Sequence, residues 1–134
     1  GAIKLLEDAM KVRPDFWQGA NDLAFLLVER GNPGDLDRAL NLAMRARSFR
    51  PEDASIRDTL GWIYFKKGSL GDAKRQLEAA MAKTPESPEV NFHMGMVLLQ
   101  EGDHARARRF LEKALAGKGD FQGRDLAEKT LGNL

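Results

Sequence analysis

Cysteine is absent from the 134 residues, which removes disulfide frameworks and thiolate metal sites. It does not choose a compartment. An excess of charge of one sign is also missing. Lys plus Arg number 21 against 20 Asp plus Glu, so net charge gives no argument for nucleic acid or for an acidic membrane surface. No apolar run approaches the length of a membrane span. Histidine occurs only at His93 and His104, short of the three or four ligands that zinc needs. Asp103 beside His104 reads better as a helix cap than as a metal ligand. Phosphate-binding glycine loops are lacking as well: "GNPGD" (31–35) is a turn, and "GKGD" (117–120) has the wrong spacing. The "PEDAS" carboxylates (51–55) read as caps and solvated ends, and no serine, histidine and acid converge. No catalysis, cofactor or metal is expected. What remains is rich in Leu, Ala and charged residues and poor in aromatics, a mixture that suits helices.

The chain is organised by repetition. A shift of 34 residues carries Gly61 onto Gly95, Gly68 onto Gly102, Ala73 onto Ala107, Leu77 onto Leu111 and Ala80 onto Ala114. The opposite shift carries Ala73 onto Ala39, Ala80 onto Ala46 and Pro85 onto Pro51. Further back, Ala24 meets Gly61 and Gly31 meets Gly68, once Asn32, Pro33 and Gly34 are allowed as an insertion. Ala2, Leu6, Ala9 and Pro14 repeat the mutual spacing of Ala39, Ala43, Ala46 and Pro51. A glycine such as Gly61 inside a helix costs about 1 kcal/mol against alanine. Its recurrence implies that two helix backbones approach closely there. The repeat-packing positions are therefore Ala24, Gly61 and Gly95 on first helices, against Ala39, Ala46, Ala73, Ala80, Ala107 and Ala114 on second helices.

Turn chemistry predicts helices near 2–13, 16–30, 36–49, 54–67, 70–83, 88–101, 104–116 and 123–133. Asp35, Ser69 and Asp103 are expected to cap second helices, and Asp53 and Ser87 first helices. Asp72 stands close to a capping box with Ser69, and Pro88 suits the first helical position. Gly31, Gly68 and Gly102 are expected to end first helices.

This pattern resembles the tetratricopeptide repeat, a 34-residue helix–turn–helix unit. Leu60, Gly61, Tyr64, Gly68, Ala73, Leu77, Ala80 and Pro85 fill its signature in one unit. Met94, Gly95, Leu98, Ala107, Leu111 and Ala114 fill it in the next, where Gly119 replaces the closing proline. Leu23, Ala24, Leu27, Ala39, Ala43, Ala46 and Pro51 fill it more weakly in the first. The early aromatic position holds Ala20, Arg57 and Asn91 instead. The resemblance implies an all-α, right-handed superhelix of about three and a half repeats plus a C-terminal capping helix. Its expected divisions within a single domain are 1–15, 16–52, 53–86, 87–120 and 121–134. The basic runs at 45–50 and 106–110 would then fall on outer, second helices and read as solvated faces.

The ends carry expectations of their own. "GAIKLLEDAM" is too acidic for a signal peptide and does not begin with Met. A mature fragment or a trimmed piece is expected, with Gly1 a cloning remnant. Residues 2–13 look like a second helix without its first, so Ile3, Leu6 and Met10 are expected to lack a partner. In the tail, Leu126, Ala127 and Leu131 are expected to pack, and Arg124, Asp125, Glu128 and Lys129 to face water. That tail resembles the closing segment of bacterial members of the family, so residue 134 is expected near a natural end.

The resemblance implies a protein-interaction scaffold whose first helices line a concave groove for a peptide or helix of a partner. Helical spacing places Asn21 and Phe25, Asp58, Trp62 and Lys66, and Phe92, Met96 and Gln100 along that groove. Phe25, Trp62 and Met96 form the expected apolar ladder, with Trp62 weighed evenly between groove and core. The lysine–asparagine clamp of chaperone-binding relatives is missing. Alternatives are self-assembly through the unpaired N-terminal helix, giving a homo-oligomer, or an accessory role in a bacterial envelope or polysaccharide-export machine.

Overall fold

The computed structural model of the chain describes residues 1–117 and 119–134; Lys118, within the "GKGD" segment, lies outside the described residues. Among the described residues the structure is all α-helix, with no strand. The order is α1 Ala2–Val12, α2 Trp17–Arg30, α3 Asp35–Phe49, α4 Ala54–Lys66, α5 Leu70–Lys83, α6 Pro88–Gln100, α7 His104–Ala116 and α8 Arg124–Gly132. Every boundary falls within one residue of its sequence expectation.

Local chemistry sets most of these ends. The Asp53 carboxylate accepts from the Ile56 amide at 3.1 Å, and the Asp103 carboxylate from the Arg106 amide at 3.2 Å. The Ser87 hydroxyl accepts from the Val90 amide at 3.3 Å, with Pro88 next in line at the start of α6. Gly68 and Gly102 follow α4 and α6 with φ of 82° and 88°. That left-handed turn lets Ser69 N–H donate to Tyr64 O and Asp103 N–H to Leu98 O, each at 2.9 Å.

Two capping expectations are corrected by the same accounting. Ser69 sits at the head of α5 without a side-chain cap. Its amide is already spent on Tyr64, so a capping box with Asp72 has no donor left, and Asp72 pairs with Arg75 instead. Asp35 is the first residue of α3 rather than its cap, because the inserted Asn32-Pro33-Gly34 turn ends with Gly34 at φ 84°. The freed carboxylate reaches back across the turn. It accepts two bonds of 2.8 Å from Arg30 and one of 3.0 Å from the Asn32 amide. The Arg30 bonds hold the Asp35 carboxyl below the usual carboxylate range, against the opposing effect of burial.

The helices pair as hairpins α2–α3, α4–α5 and α6–α7, and successive first helices α2, α4 and α6 touch one another. The contact within a hairpin is tight at the small residues. A Cβ added to Gly61 would stand 2.6 Å from Leu77 Cγ and 3.3 Å from the Ala73 carbonyl. One added to Gly95 would stand 2.9 Å from Leu111 and 3.4 Å from the Ala107 carbonyl. Ala24, Ala39, Ala43, Ala46, Ala73, Ala80 and Ala107 are completely buried, and Ala114 nearly so.

At the two ends the burial differs from expectation. Met10 is buried, and Ile3 and Leu6 are partly packed, because α1 lies against α2. The uncovered apolar residues of α1 are Ala2, Leu5 and Val12. In α8, Ala127 is fully buried and Leu131 partly packed, but Leu126 is exposed. Arg124 does not simply face water. It folds back on the end of α7 and donates to the carbonyls of Gly117 at 3.1 Å and Gly119 at 2.9 Å. A cation suits the carbonyl-rich end of a helix.

Two outcomes follow. Gly61→Val should lower the urea-unfolding free energy by about 1–3 kcal/mol, since Leu77 and the α5 backbone cannot both give way. Asp35→Asn should weaken the fold at neutral pH. The carboxyl is depressed in the folded state, so its contribution is present above the unfolded pKa and is lost as pH falls through the folded one. Urea midpoints of wild type and variant, followed stepwise into acid, should therefore converge.

Candidate interaction groove

The inner wall is not uniformly open. Trp62, expected in the apolar ladder, is only 3% exposed. Its indole stacks on His93 at 4.2 Å and on Phe65 at 4.9 Å, and Phe92 tilts against it at 5.6 Å. Lys66 Nζ lies 4.9 Å from the Trp62 ring centre. Phe92 is 2% exposed, because the tail folds over it. Phe121 packs on the Phe92 ring at 6.1 Å. Gly123, at φ 99°, approaches so closely that a Cβ would stand 2.4 Å from it. Trp62 and Phe92 are thus core residues and offer no accessible groove surface. Met96 is half-buried, while Lys66 and Gln100 are exposed on the open side.

Asn21, Phe25 and Asp58 do come together. They line an open hollow of about 640 Å³. Ala2, Leu5 and Leu6 of α1 and Leu26 of α2 complete its apolar wall. Asp22, Glu89 and the tail residue Gln122 stand around it. The sequence pattern marks Asn21 and Phe25, but it misses Asp22, which precedes Phe25 by three residues on the same helical face. It also misses Leu5, whose neighbours Ile3 and Leu6 draw attention by matching the buried register.

Three of the polar groups here are the carboxyls of Asp22, Asp58 and Glu89. Asp58 Oδ1 accepts from His93 Nδ1 at 2.6 Å, a buried bond that ties α4 to α6. Asn21 is 8% exposed, and its Oδ1 carries no hydrogen bond. The loss of hydration around Asp22 pushes its carboxyl above the usual carboxylate range. Among the described residues lining the hollow there is no Lys, Arg or His. No cluster of three or more metal-ligating side chains occurs among the described residues, and no described helix is long and apolar enough to cross a membrane.

Residues 59–121 match the tetratricopeptide-repeat family model. A TPR repeat-containing protein of Pseudomonas aeruginosa is 34% identical over 82 residues, covering 61% of this chain and 13% of that protein. A Pseudomonas putida protein named "Probable biofilm formation methyltransferase WspC" is 28% identical over 104 residues, covering 78% of this chain and 24% of its own length. The chain therefore spans only a minor part of these curated relatives. Among solved structures, a thermophilic TPR protein of Thermus thermophilus superposes with a TM-score of 0.78 at 19% identity, over 98% of this chain and 72% of that one.

The burial of Trp62 generates a direct test. Trp62→Ala should cost about 3–5 kcal/mol in chemical denaturation, as for an aromatic removed from a packed core.

Proposed function

We propose that this chain, whose residues 59–121 match the tetratricopeptide-repeat family model, is a protein-interaction scaffold that holds a peptide or helix of a partner protein in its concave groove. The work is done by presentation of a rigid curved surface, without a covalent step. The observation that carries this reading is the open hollow on the inner wall, where Leu5, Leu6, Phe25 and Leu26 meet Asn21, Asp22 and Asp58. Apolar side chains with a few placed polar groups suit an amphipathic segment. Phe25 is the natural anchor, being an aromatic ring that is only partly buried. Lys66, Met96 and Gln100 extend the wall beyond the hollow, while Trp62 and Phe92 stiffen it from behind. The repeat-packing residues Ala24, Gly61, Gly95, Ala39, Ala46, Ala73, Ala80, Ala107 and Ala114 serve the groove indirectly, by fixing the spacing of its helices.

Selection of displayed peptides against residues 1–134 tests the reading. Selected peptides should lose at least about tenfold in affinity, about 1.4 kcal/mol, on Phe25→Asp. The helical circular dichroism of the variant should be retained. Peptides that bind wild type and Phe25→Asp alike, or a selection that yields none, would count against the groove.

A further inference from the structure

The basic run "RARSFR" (45–50) ends α3 and leads into the turn at Pro51. That turn lies between two complete hairpins, α2–α3 and α4–α5. Around it stand Arg45, Arg50 and Arg57, none of which makes an ion pair among the described residues. Arg30, Arg38, Arg75, Arg106 and Arg124, by contrast, each pair with a carboxylate.

What holds these three guanidiniums is neutral. Arg50 lies over the Trp17 ring, 4.9 Å from its centre. Arg57 donates to the Pro51 carbonyl at 3.1 Å and to the Gln76 side-chain oxygen at 3.0 Å. Arg45 donates to the Pro14 carbonyl at 2.7 Å. Each side chain is given a position while its charge is left without a counter-ion. Fixing a long side chain in advance removes an ordering cost from binding. The N–H donors that remain on each fork suit a carboxylate.

Phe49 supplies an apolar contact beside them. It stays 48% exposed although α3 packs against both α2 and α4. With Arg50, Pro51, Glu52, Asp53 and Ala54 it lines an open hollow of about 450 Å³. Acidic residues interrupt the edge. The Asp53 carboxylate is engaged by the Ile56 amide and the Ser55 hydroxyl, whereas Asp15 and Glu52 are exposed. A continuous line of phosphates would be repelled by those two carboxylates. A peptide whose carboxylates are spaced around an apolar side chain avoids them and meets the arginines.

We propose that the edge formed by Phe49, Arg50, Arg57 and the Pro51 turn docks an acidic segment of a partner protein. An apolar side chain of that segment lies on Phe49, and its Asp or Glu carboxylates take the remaining N–H donors of Arg50 and Arg57. Arg45 adds a third positive charge from the Pro14 side. The edge shares no lining residue with the inner-wall hollow and stands independently of it.

The probe is the capped peptide Glu-Glu-Phe-Glu-Glu-Leu, titrated into nitrogen-15-labelled residues 1–134 and followed by NMR. Its glutamine and lysine counterparts and an oligothymidylate are titrated beside it. The glutamate peptide should shift the amides of Phe49, Arg50 and Glu52 and the Nε–H signals of Arg50 and Arg57. It should bind at least about tenfold more tightly than the glutamine peptide. Arg50→Glu should make the lysine peptide the better ligand. Arg57→Gln and Phe49→Ser should each weaken the glutamate peptide several-fold, with helical circular dichroism retained. Phe49 is exposed, so its variant should fold even where an arginine variant does not. Equal affinity for the glutamate and glutamine peptides would overturn the proposal, as would no shift at millimolar peptide. Shifts confined to the inner-wall hollow, or binding unmoved by Arg50→Glu and Phe49→Ser, would do the same. Tighter binding of the oligothymidylate would also overturn it and assign the edge to nucleic acid.

Discussion

The structure depends on the near-contact of two helix backbones within each hairpin. At Gly61 the space for a side chain is already taken by Leu77 and the Ala73 carbonyl. At Gly95 it is taken by Leu111 and the Ala107 carbonyl. Close approach brings the Leu77 and Leu111 side chains to complete burial and fixes the spacing of first and second helices. Because each hairpin then touches mainly its neighbours, the inner wall is built by repetition of one local solution. The position of Phe25 relative to Ser55 and Asp58 is an outcome of those spacings, as is the hollow between them.

This explains which features are legible in the amino-acid order. Gly61, Ala73 and Ala80 announce themselves because each acts on a residue at fixed separation within its own hairpin. The Asp53, Ser87 and Asp103 caps are legible for the same reason, each satisfying an amide three residues ahead. Asp35 is misread because the Asn32-Pro33-Gly34 insertion changes the path of the turn, and only the folded turn brings Arg30 within 2.8 Å. Trp62 and Phe92 are harder still. Helical spacing says that they share a face with Phe25, but whether that face is open depends on His93 one repeat away and on Phe121 and Gly123 in the tail. Phe121 and Gly123 lie outside the repeating pattern, and the Trp62–His93 contact crosses from one repeat to the next.

Apolar side chains at the two ends of the described helices are covered to different extents. At the C-terminal side, Phe121, Gly123 and Ala127 close over Phe92 and the last hairpin, and Arg124 ties the link to the carbonyls that end α7. At the N-terminal side α1 covers Met10 and part of Leu6 but leaves Leu5 and Val12 in water, at 71% and 81% exposure. The wall is therefore closed by internal packing around Trp62 and only partly covered around Phe25.

Net charge is a poor guide to what such a surface attracts. The chain is balanced to +1 overall, and that balance argues only against partners recognised by a long-range field. Screening confines the influence of an exposed charge to about 8 Å at physiological ionic strength. What a ligand senses in the hollow is the local set of Asp22, Asp58 and Glu89. Many of the compensating lysines and arginines are engaged elsewhere: Arg30 with Asp35, Lys67 with Asp37, Lys74 with Glu101, and Arg124 with the α7 terminus. Around the hollow, the charged side chains that line it are those of Asp22, Asp58 and Glu89. The hollow is acidic because these three line it with no Lys, Arg or His among the described lining.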